Sequence, residues 1–373
     1  MRTRTAAPLA SLALLVLTLA GCSAGPDAED DRSSRGSATA PPAPSDLASG
    51  EVVPTGAVTD VATDLEAPWS VVLVDDTPLV SLRDSGDVLE LAEDGSPRTV
   101  GTIEGIRHGG EGGLLGLAVH DDDELYVYST GEDGNRVERY PLTGDAGSYG
   151  LGDPTTVVED LPANSFHNGG RIAFGPDDML YVTVGDAGDR SEAQDRDSLA
   201  GKILRVTPTG DVPSDNPFDG SPVWSTGHRN VQGLGWADDG TMFASEFGEN
   251  AFDELNVIEP GSDYGWPEVE GTGGTDQGFV DPVQQWSTDE ASPSGLAVVD
   301  DTVFIANLQG RVLRSVPVSG PSTSREWFAD DYGRIRTVLE GPDDTLWFVT
   351  NNTDGRGSPG DGDDRVLSVR LSD

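Results

Sequence analysis

Asp177-Asp178-Met179-Leu180-Tyr181-Val182-Thr183 reads as a tight turn on paired aspartates followed by a strand of β-branched, aromatic and aliphatic residues. The arrangement recurs along the chain. Paired-aspartate turns stand at Asp75-Asp76, Asp121-Asp122, Asp177-Asp178, Asp238-Asp239, Asp300-Asp301 and Asp343-Asp344, each preceded by an apolar strand. The strand after each turn covers residues 79–82, 125–128, 180–183, 242–245, 303–306 and 346–349. A third strand follows each time, at 88–91, 137–140, 203–206, 255–258, 312–315 and 366–369, and helical periodicity of useful length is absent.

A repeat of roughly 40 to 60 residues made of short antiparallel strands is the sequence form of a β-propeller. One small sheet cannot bury both faces, so copies must pack radially around a channel. Six copies predict an all-β, six-bladed β-propeller over residues 53–373. The ring has to close, and a strand at about residues 58–62 is expected to pair with the last blade. A two-sheet sandwich does not account for six copies of one turn. Unequal turn spacing places long insertions at about 184–200, 213–230 and 260–290, and long loops on a compact scaffold are where function concentrates.

Ahead of the repeats lies a targeting segment. Arg2 and Arg4 precede an apolar run at residues 9–19, and Leu19-Ala20-Gly21-Cys22 resembles the bacterial lipobox, in which cleavage leaves the cysteine as a lipidated N-terminus. Residues 1–22 are therefore expected to be a lipoprotein signal peptide with Cys22 as its lipidation site; an ordinary secretory signal is the plainer alternative. Residues 23–52, with stretches such as Ala40-Pro41-Pro42-Ala43-Pro44-Ser45, have almost nothing to bury and read as a disordered tether. The apolar run is too short and wrongly flanked to span a bilayer, so the expected location is extracytoplasmic, with membrane contact through a lipid anchor only. Cys22 is the single cysteine, which excludes an internal disulfide.

A net charge of -43, from 66 acidic against 23 basic residues, argues against nucleic acid as a partner, because phosphate contacts require a basic face. It reads as a strongly solvated, salt-tolerant surface. Lys202 is the only lysine, and its place in Gly201-Lys202-Ile203-Leu204-Arg205-Val206 points to a structural role.

Chemistry is concentrated where blades begin. Asn164-Ser165-Phe166-His167-Asn168-Gly169-Gly170-Arg171 sets one of four histidines just ahead of an apolar strand, and Asp186 follows in the turn Gly185-Asp186-Ala187-Gly188. A carboxylate there is suited to fix the tautomer of the imidazole. Taken alone, His167 is as well explained as an ordinary turn histidine. Other glycine-flanked polar clusters open further blades: Gly109-Gly110-Glu111-Gly112-Gly113, Gly227-His228-Arg229-Asn230-Val231-Gln232-Gly233, Ser292-Pro293-Ser294-Gly295 and Gly333-Arg334-Ile335-Arg336. Equivalent positions of a propeller repeat share one face, so Glu111, His167, Arg229, Asn230, Arg334 and Arg336 are expected to converge on one pocket. Glycines admit a close ligand, and three arginines beside a base suit a planar, multiply carboxylated molecule. Arginines merely paired with the abundant acids are the plainer alternative.

Residues 167–205, followed in order by Asp215-Asn216-Pro217-Phe218, the 227–233 cluster, Ser245-Glu246-Phe247-Gly248, Asp253-Glu254-Leu255-Asn256 and Tyr264-Gly265-Trp266-Pro267, resemble the soluble pyrroloquinoline quinone (PQQ)-dependent glucose and aldose sugar dehydrogenases. The resemblance runs from about Leu65 to the C-terminus and implies a six-bladed propeller. It implies that His167 is the general base taking the proton of a sugar's anomeric hydroxyl while hydride passes to the quinone, with Asp186 supporting it. Arg229 and Asn230 match residues at the cofactor, and Arg334 and Arg336 match the pair that holds its carboxylates. The backbone carbonyls of Gly248 and Glu249 match calcium ligands, with Glu249 where the family usually has proline, and Glu254 and Tyr264 match a calcium-associated pair; oxygen ligands suit calcium.

Three further positions depart from the family pattern. Glu111 stands where glutamine is typical and Gln309, in Leu308-Gln309-Gly310, where lysine is expected. A carboxylate facing a polycarboxylated quinone repels it, and the missing lysine removes a favourable charge, so weaker cofactor binding is expected. Phe166 replaces an acid of the glucose dehydrogenases, so glucose is not implied as the substrate. The expected function is oxidation of aldose C1 hydroxyls to lactones with PQQ and calcium, electrons leaving to an external acceptor. The competing expectations are a non-enzymatic propeller that binds a sugar, glycan or protein after losing the cofactor, and a calcium-dependent lactone hydrolase.

Overall fold

Val53–Ala62 pairs not with the strand that follows it but with Val366–Ser372 at the far end of the chain, antiparallel, with Val53 opposite Ser372 and Ala62 opposite Val366. The expected closing strand thus exists, and it begins five residues earlier than residue 58, at Val53. This pairing joins the two ends of the ring by backbone hydrogen bonds, which removes the edges that would otherwise be left open. The computed structural model describes residues 49–121 and 123–372. The signal peptide, Cys22, the tether up to residue 48, Asp122 and Asp373 lie outside the described residues; residues 49–52, expected as the end of the disordered tether, are instead ordered, with Glu51 and Val52 buried and the N–H of Val52 donating to Oγ1 of Thr302 at 2.9 Å.

Six sheets follow one plan. Blade I runs from Pro68–Val74 to Pro97–Thr102, blade II from Leu114–His120 to Thr155–Leu161, and blade III from Ile172–Phe174 to Val223–Ser225. Blade IV runs from Val231–Trp236 to Gln284–Ser287, and blade V from Pro293–Val299 to Arg325–Trp327. Blade VI comprises Ile335–Gly341, Thr345–Thr350 and Val366–Ser372, with Val53–Ala62 as its outer strand. The second and third strands fall where the repeat puts them. The outer strands of blades III, IV and V escaped the sequence pattern because they are only three or four residues long, too short to show an apolar alternation.

The turns explain their aspartates. Asp75, Asp121, Asp178, Asp300 and Asp343 adopt φ between 48° and 64°, a left-handed conformation that aspartate tolerates better than most residues with a Cβ. At Asp238-Asp239 the left-handed residue is instead Gly240, φ 87°.

The core lies between blades rather than within them. Leu79 and Val88 of blade I meet Leu114, Leu125 and Val127 of blade II, and Phe304 and Leu313 of blade V meet Phe348 and Leu367 of blade VI. Each blade therefore depends on two neighbours for burial. The first strands of successive blades lie against one another around the axis, and blade I closes on blade VI. Because every blade repeats one plan, the loops that lead into those first strands share one rim.

Candidate active site

His167 occupies the loop leading into blade III with φ 56°, and three contacts hold it there. Its backbone N–H donates to Oε2 of Glu111 at 2.9 Å, and its carbonyl accepts from the N–H of Ala187 at 3.2 Å. Gly185 packs against that carbonyl so closely that a Cβ would sit 2.0 Å from the oxygen. The ring is fixed separately, with Nδ1 2.7 Å from Oδ1 of Asp186.

Asp186 is buried and accepts two further hydrogen bonds, from the N–H of Gly188 at 2.8 Å and from Nε1 of Trp266 at 2.9 Å. Burial pushes its carboxyl upward, but the His167 contact and then the Gly188 donor outweigh it, so its pKa falls below the usual carboxylate range. An ionised carboxylate on Nδ1 keeps the proton of neutral imidazole on that nitrogen and leaves Nε2 as the basic atom. Phe166, a large apolar side chain 40% exposed, stands edge-on to the imidazole at 4.7 Å.

Arg334 and Arg336 stand where blade VI begins. Arg336 donates from Nε and Nη2 to Oδ1 of Asn351 at 3.0 and 2.9 Å, and from Nη1 to Oε1 of Gln232 at 2.9 Å. Arg334 donates to Oδ2 of Asp354 at 3.0 Å. Burial pulls Arg336 down to about 9, which still leaves it charged at neutral pH. Burial pushes Asp354 upward, and the guanidinium groups of Arg334 and Arg336 more than reverse this. Arg229 lies over Trp266, 5.5 Å from the ring centroid, and donates to the carbonyl of Phe247 at 3.3 Å. Asn230 uses its Oδ1 to accept the N–H of Gly169 at 3.0 Å.

A continuous path links these groups. The carbonyl of Arg229 accepts from the backbone N–H of Asp186 at 2.8 Å, Asp186 binds His167, and His167 binds Glu111. Glu111 then pairs through Oε1 with Arg356 at 3.0 Å, and the backbone N–H of Arg356 donates to Asp354, the partner of Arg334. The residues expected to converge, Glu111, His167, Arg229, Asn230, Arg334 and Arg336, are thus brought together. Gln309 is exposed in the turn after Thr302–Asn307, which the N–H groups of Leu308 and Gly310 tie to the carbonyls of Ser292 and Ala291 in the loop entering blade V.

Trp266, Asp354 and Arg356 belong to this site and were not singled out from sequence. The 351–365 loop escaped because insertions were inferred from the distance between successive aspartate turns, and no turn follows Asp343-Asp344. Its length after 345–350 was the one available signal.

Part of the expected calcium set also comes together. A small cavity of about 10 Å³ is lined by Glu246, Gly248, Glu254, Tyr264, Glu270 and the Arg229 side. Glu270, missed from sequence, accepts through Oε1 the N–H groups of Glu249, Asn250, Ala251 and Phe252 at 2.6 to 3.1 Å. Asp253 accepts the N–H of Gly248 at 2.8 Å. With its N–H groups held by carboxylates, this turn has carbonyl oxygens left to offer a cation. The carboxylate of Glu249 pairs with Arg190 and does not line the cavity. The hydroxyl of Tyr264 donates to Val257 and accepts from Glu259, which leaves its carbonyl as the oxygen available to a metal. Burial, then Glu246, raises the pKa of Glu254, as expected of a carboxylate that lacks a counter-charge.

Lys202 is structural, as expected. Fully buried, it donates to the carbonyls of Glu192, Ala193 and Ala200 at 2.8, 3.0 and 2.6 Å, pinning the loop that follows Asp186.

The residues present suit an anionic quinone and a hard cation. Nε of Arg229, Nε of Arg334 and Nδ2 of Asn230 are buried donors without an acceptor in the protein. Such donors are costly unless a guest supplies oxygen atoms. The small cavity is lined by the carboxylates of Glu246, Glu254 and Glu270, oxygen chemistry that calcium prefers, and also by Arg229; among the described residues no group of three or more acidic, histidine or cysteine side chains is arranged to hold a metal ion.

The glucose/sorbosone dehydrogenase family model matches residues 65–358. The chain is 28% identical over 340 residues to the aldose sugar dehydrogenase YliI of Escherichia coli strain K12, covering 78% of this chain and 89% of that one. It is 33% identical over 228 residues to the quinoprotein glucose dehydrogenase B of Acinetobacter calcoaceticus, 51% of this chain and 47% of that one. The structure of the PQQ-bound form of the aldose sugar dehydrogenase from Streptomyces coelicolor superposes with a TM-score of 0.82 at 46% identity, covering 87% and 98% of the two chains. A ring of six blades whose rim joins an imidazole–carboxylate pair to three guanidinium groups, together with a family match over most of its length, places this chain in the glucose/sorbosone dehydrogenase family.

Proposed function

We propose that this protein is a PQQ- and calcium-dependent dehydrogenase that oxidises the C1 hydroxyl of aldose sugars to the lactone and passes the electrons to an external acceptor. The observation that carries the reading is the His167–Asp186 pair, 2.7 Å apart, beside guanidinium groups with unpartnered donors. When bound, the quinone supplies a two-electron hydride acceptor and calcium a charge that polarises it.

In this reading Nε2 of His167 takes the proton of the anomeric hydroxyl as the C1 hydride departs. Asp186 holds the ring in that tautomer and stabilises the imidazolium that forms. Arg229 and Asn230 stand at the cofactor, and Arg334 and Arg336 hold its carboxylates. The carbonyls of Gly248, Glu249 and Tyr264, with the carboxylate of Glu254, supply oxygens to calcium.

The test is reconstitution. Purified protein with calcium should develop the absorbance of bound quinone when PQQ is added, and should then reduce a dye with aldoses. His167→Ala should keep the absorbance and lose the turnover. No activity across a broad aldose panel with both cofactors present would end the proposal. Glu111 and Gln309 favour a second reading, a propeller that binds sugar without chemistry; calorimetric sugar binding without any quinone uptake would support it.

The lipobox at Leu19-Ala20-Gly21-Cys22 supports an extracytoplasmic, lipid-anchored location. Radiolabelled palmitate should enter the protein and should be lost in Cys22→Ala; equal membrane association of both forms would count against the anchor.

A further inference from the structure

We infer that Arg356 is a cofactor-affinity residue, whose task is to neutralise Glu111 so that a carboxylate can stay in a pocket built for an anion. The inference rests on the proposed quinone chemistry and concerns how this chain tolerates an acid there.

Glu111 has a backbone duty that explains its presence. Its Oε2 accepts the N–H of His167, whose φ of 56° has to be held against the ordinary preference of a residue with a Cβ. The same carboxylate lies close enough to Arg336 to favour its charged form, so uncompensated it would compete with the carboxylates of the guest. Oε1 of Glu111 is taken instead by Nη1 of Arg356 at 3.0 Å. The Glu111 side chain is 18% exposed and that of Arg356 54%, which puts the guanidinium on the open side of the acid.

Arg356 is also seated rather than loose. Its backbone N–H donates to Oδ1 of Asp354 at 2.8 Å, while Oδ2 of Asp354 accepts from Arg334 at 3.0 Å. One buried carboxylate therefore sets the spacing of two cationic residues, one reaching into the pocket and one across its mouth. Gln309 brings no charge to this rim, so the positive side depends on Arg356 more than a count of arginines suggests.

The experiment is calorimetric titration of the calcium-loaded protein with PQQ, reading affinity rather than turnover. The variants are Arg356→Ala, Arg356→Lys, Glu111→Gln and the double variant Glu111→Gln/Arg356→Ala. Arg356→Ala should weaken binding about tenfold at low salt and less at high salt. Arg356→Lys should recover most of the loss. Glu111→Gln retains an acceptor for His167 and removes the charge, so the double variant should bind within about twofold of wild type. Because Arg356 is largely exposed, unfolding midpoints should be unchanged, and a drop in affinity then reports the pocket. Wild-type affinity in Arg356→Ala, or a double variant no tighter than Arg356→Ala, overturns the role of Arg356 alone. Wild-type protein that takes up no quinone overturns the proposed function and this inference with it.

Discussion

Nε1 of Trp266 lies 2.9 Å from Oδ2 of Asp186, so an indole from the long loop of blade IV supports the carboxylate that orients His167 in blade III. Asp186→Asn keeps the shape and loses the charge. Its kcat is expected to fall about 10³- to 10⁴-fold, the size typical when a base loses its tautomer, with PQQ affinity unchanged. Trp266→Phe removes one donor and should give a milder loss, with the acid limb of the pH–rate profile moved upward. Equal pH profiles for Trp266→Phe and wild type would show that the indole is only packing.

Phe166 is exposed beside the imidazole, where the proposed function would have the sugar approach. It lies across Gly188 and faces the imidazole edge-on. Phe166→Ala should raise KM for aldoses several-fold by removing an apolar face for the sugar ring, with little change in kcat or in quinone uptake. A fall in kcat at constant KM would place the side chain in the chemical step instead.

Lys202 donates to three carbonyls, two of which are shared: Glu192 also accepts from the N–H of Asp195 and Ala193 from that of Gly227. Burial pulls the Lys202 pKa down to about 8, against the opposing charges of Asp195, Glu192 and Asp263. Lys202→Met leaves the Ala200 oxygen unpaired and removes a charged donor from the other two, and should cost about 1–3 kcal/mol in denaturant titrations. Lys202→Arg should not rescue it, since a planar fork cannot meet acceptors arranged around a point charge.

The pH dependence of the metal-free protein should be unusual in sign. Burial raises Asp253 to about 6, and Glu254 is raised as well. A carboxyl raised by folding contributes stability that is present below its unfolded pKa and lost as pH rises through the folded value. Melting temperature in chelator should therefore fall from about pH 4 to beyond about pH 6, and Asp253→Asn should flatten the lower part of that fall. Asp186 and Asp354 act oppositely, losing their contribution only as the pH drops below the usual carboxylate range. Calcium should lift the curve most at the higher pH, where Glu254 gains from a counter-charge; coincident curves with calcium and chelator would argue against a cation beside it.

The net charge of -43 sets a further expectation. Salt screens like-charge repulsion over about 10 Å at 0.1 M, so the unfolding midpoint should rise steeply from low salt and then flatten. A midpoint insensitive to salt would mean that the acids are already compensated locally.

Sequence reached the architecture because its signals are local. A turn that needs left-handed backbone selects aspartate, a half-buried strand selects β-branched and aromatic residues, and six repetitions of that short pattern can be read without knowing what touches what. It reached Glu111, His167, Arg229, Asn230, Arg334 and Arg336 for the same reason, since equivalent places in a repeat must share a rim. It misjudged the setting of Glu111, which looked like bare repulsion until Arg356, distant along the chain, was found beside it. The same holds for Trp266 on Asp186 and for Glu270 beneath the 249–252 turn. Hydrogen bonds across the rim leave no periodic trace, because their partners come from loops of unrelated length. Tertiary structure alone decided which charges are compensated, which donors are left for a guest, and which acid holds the base.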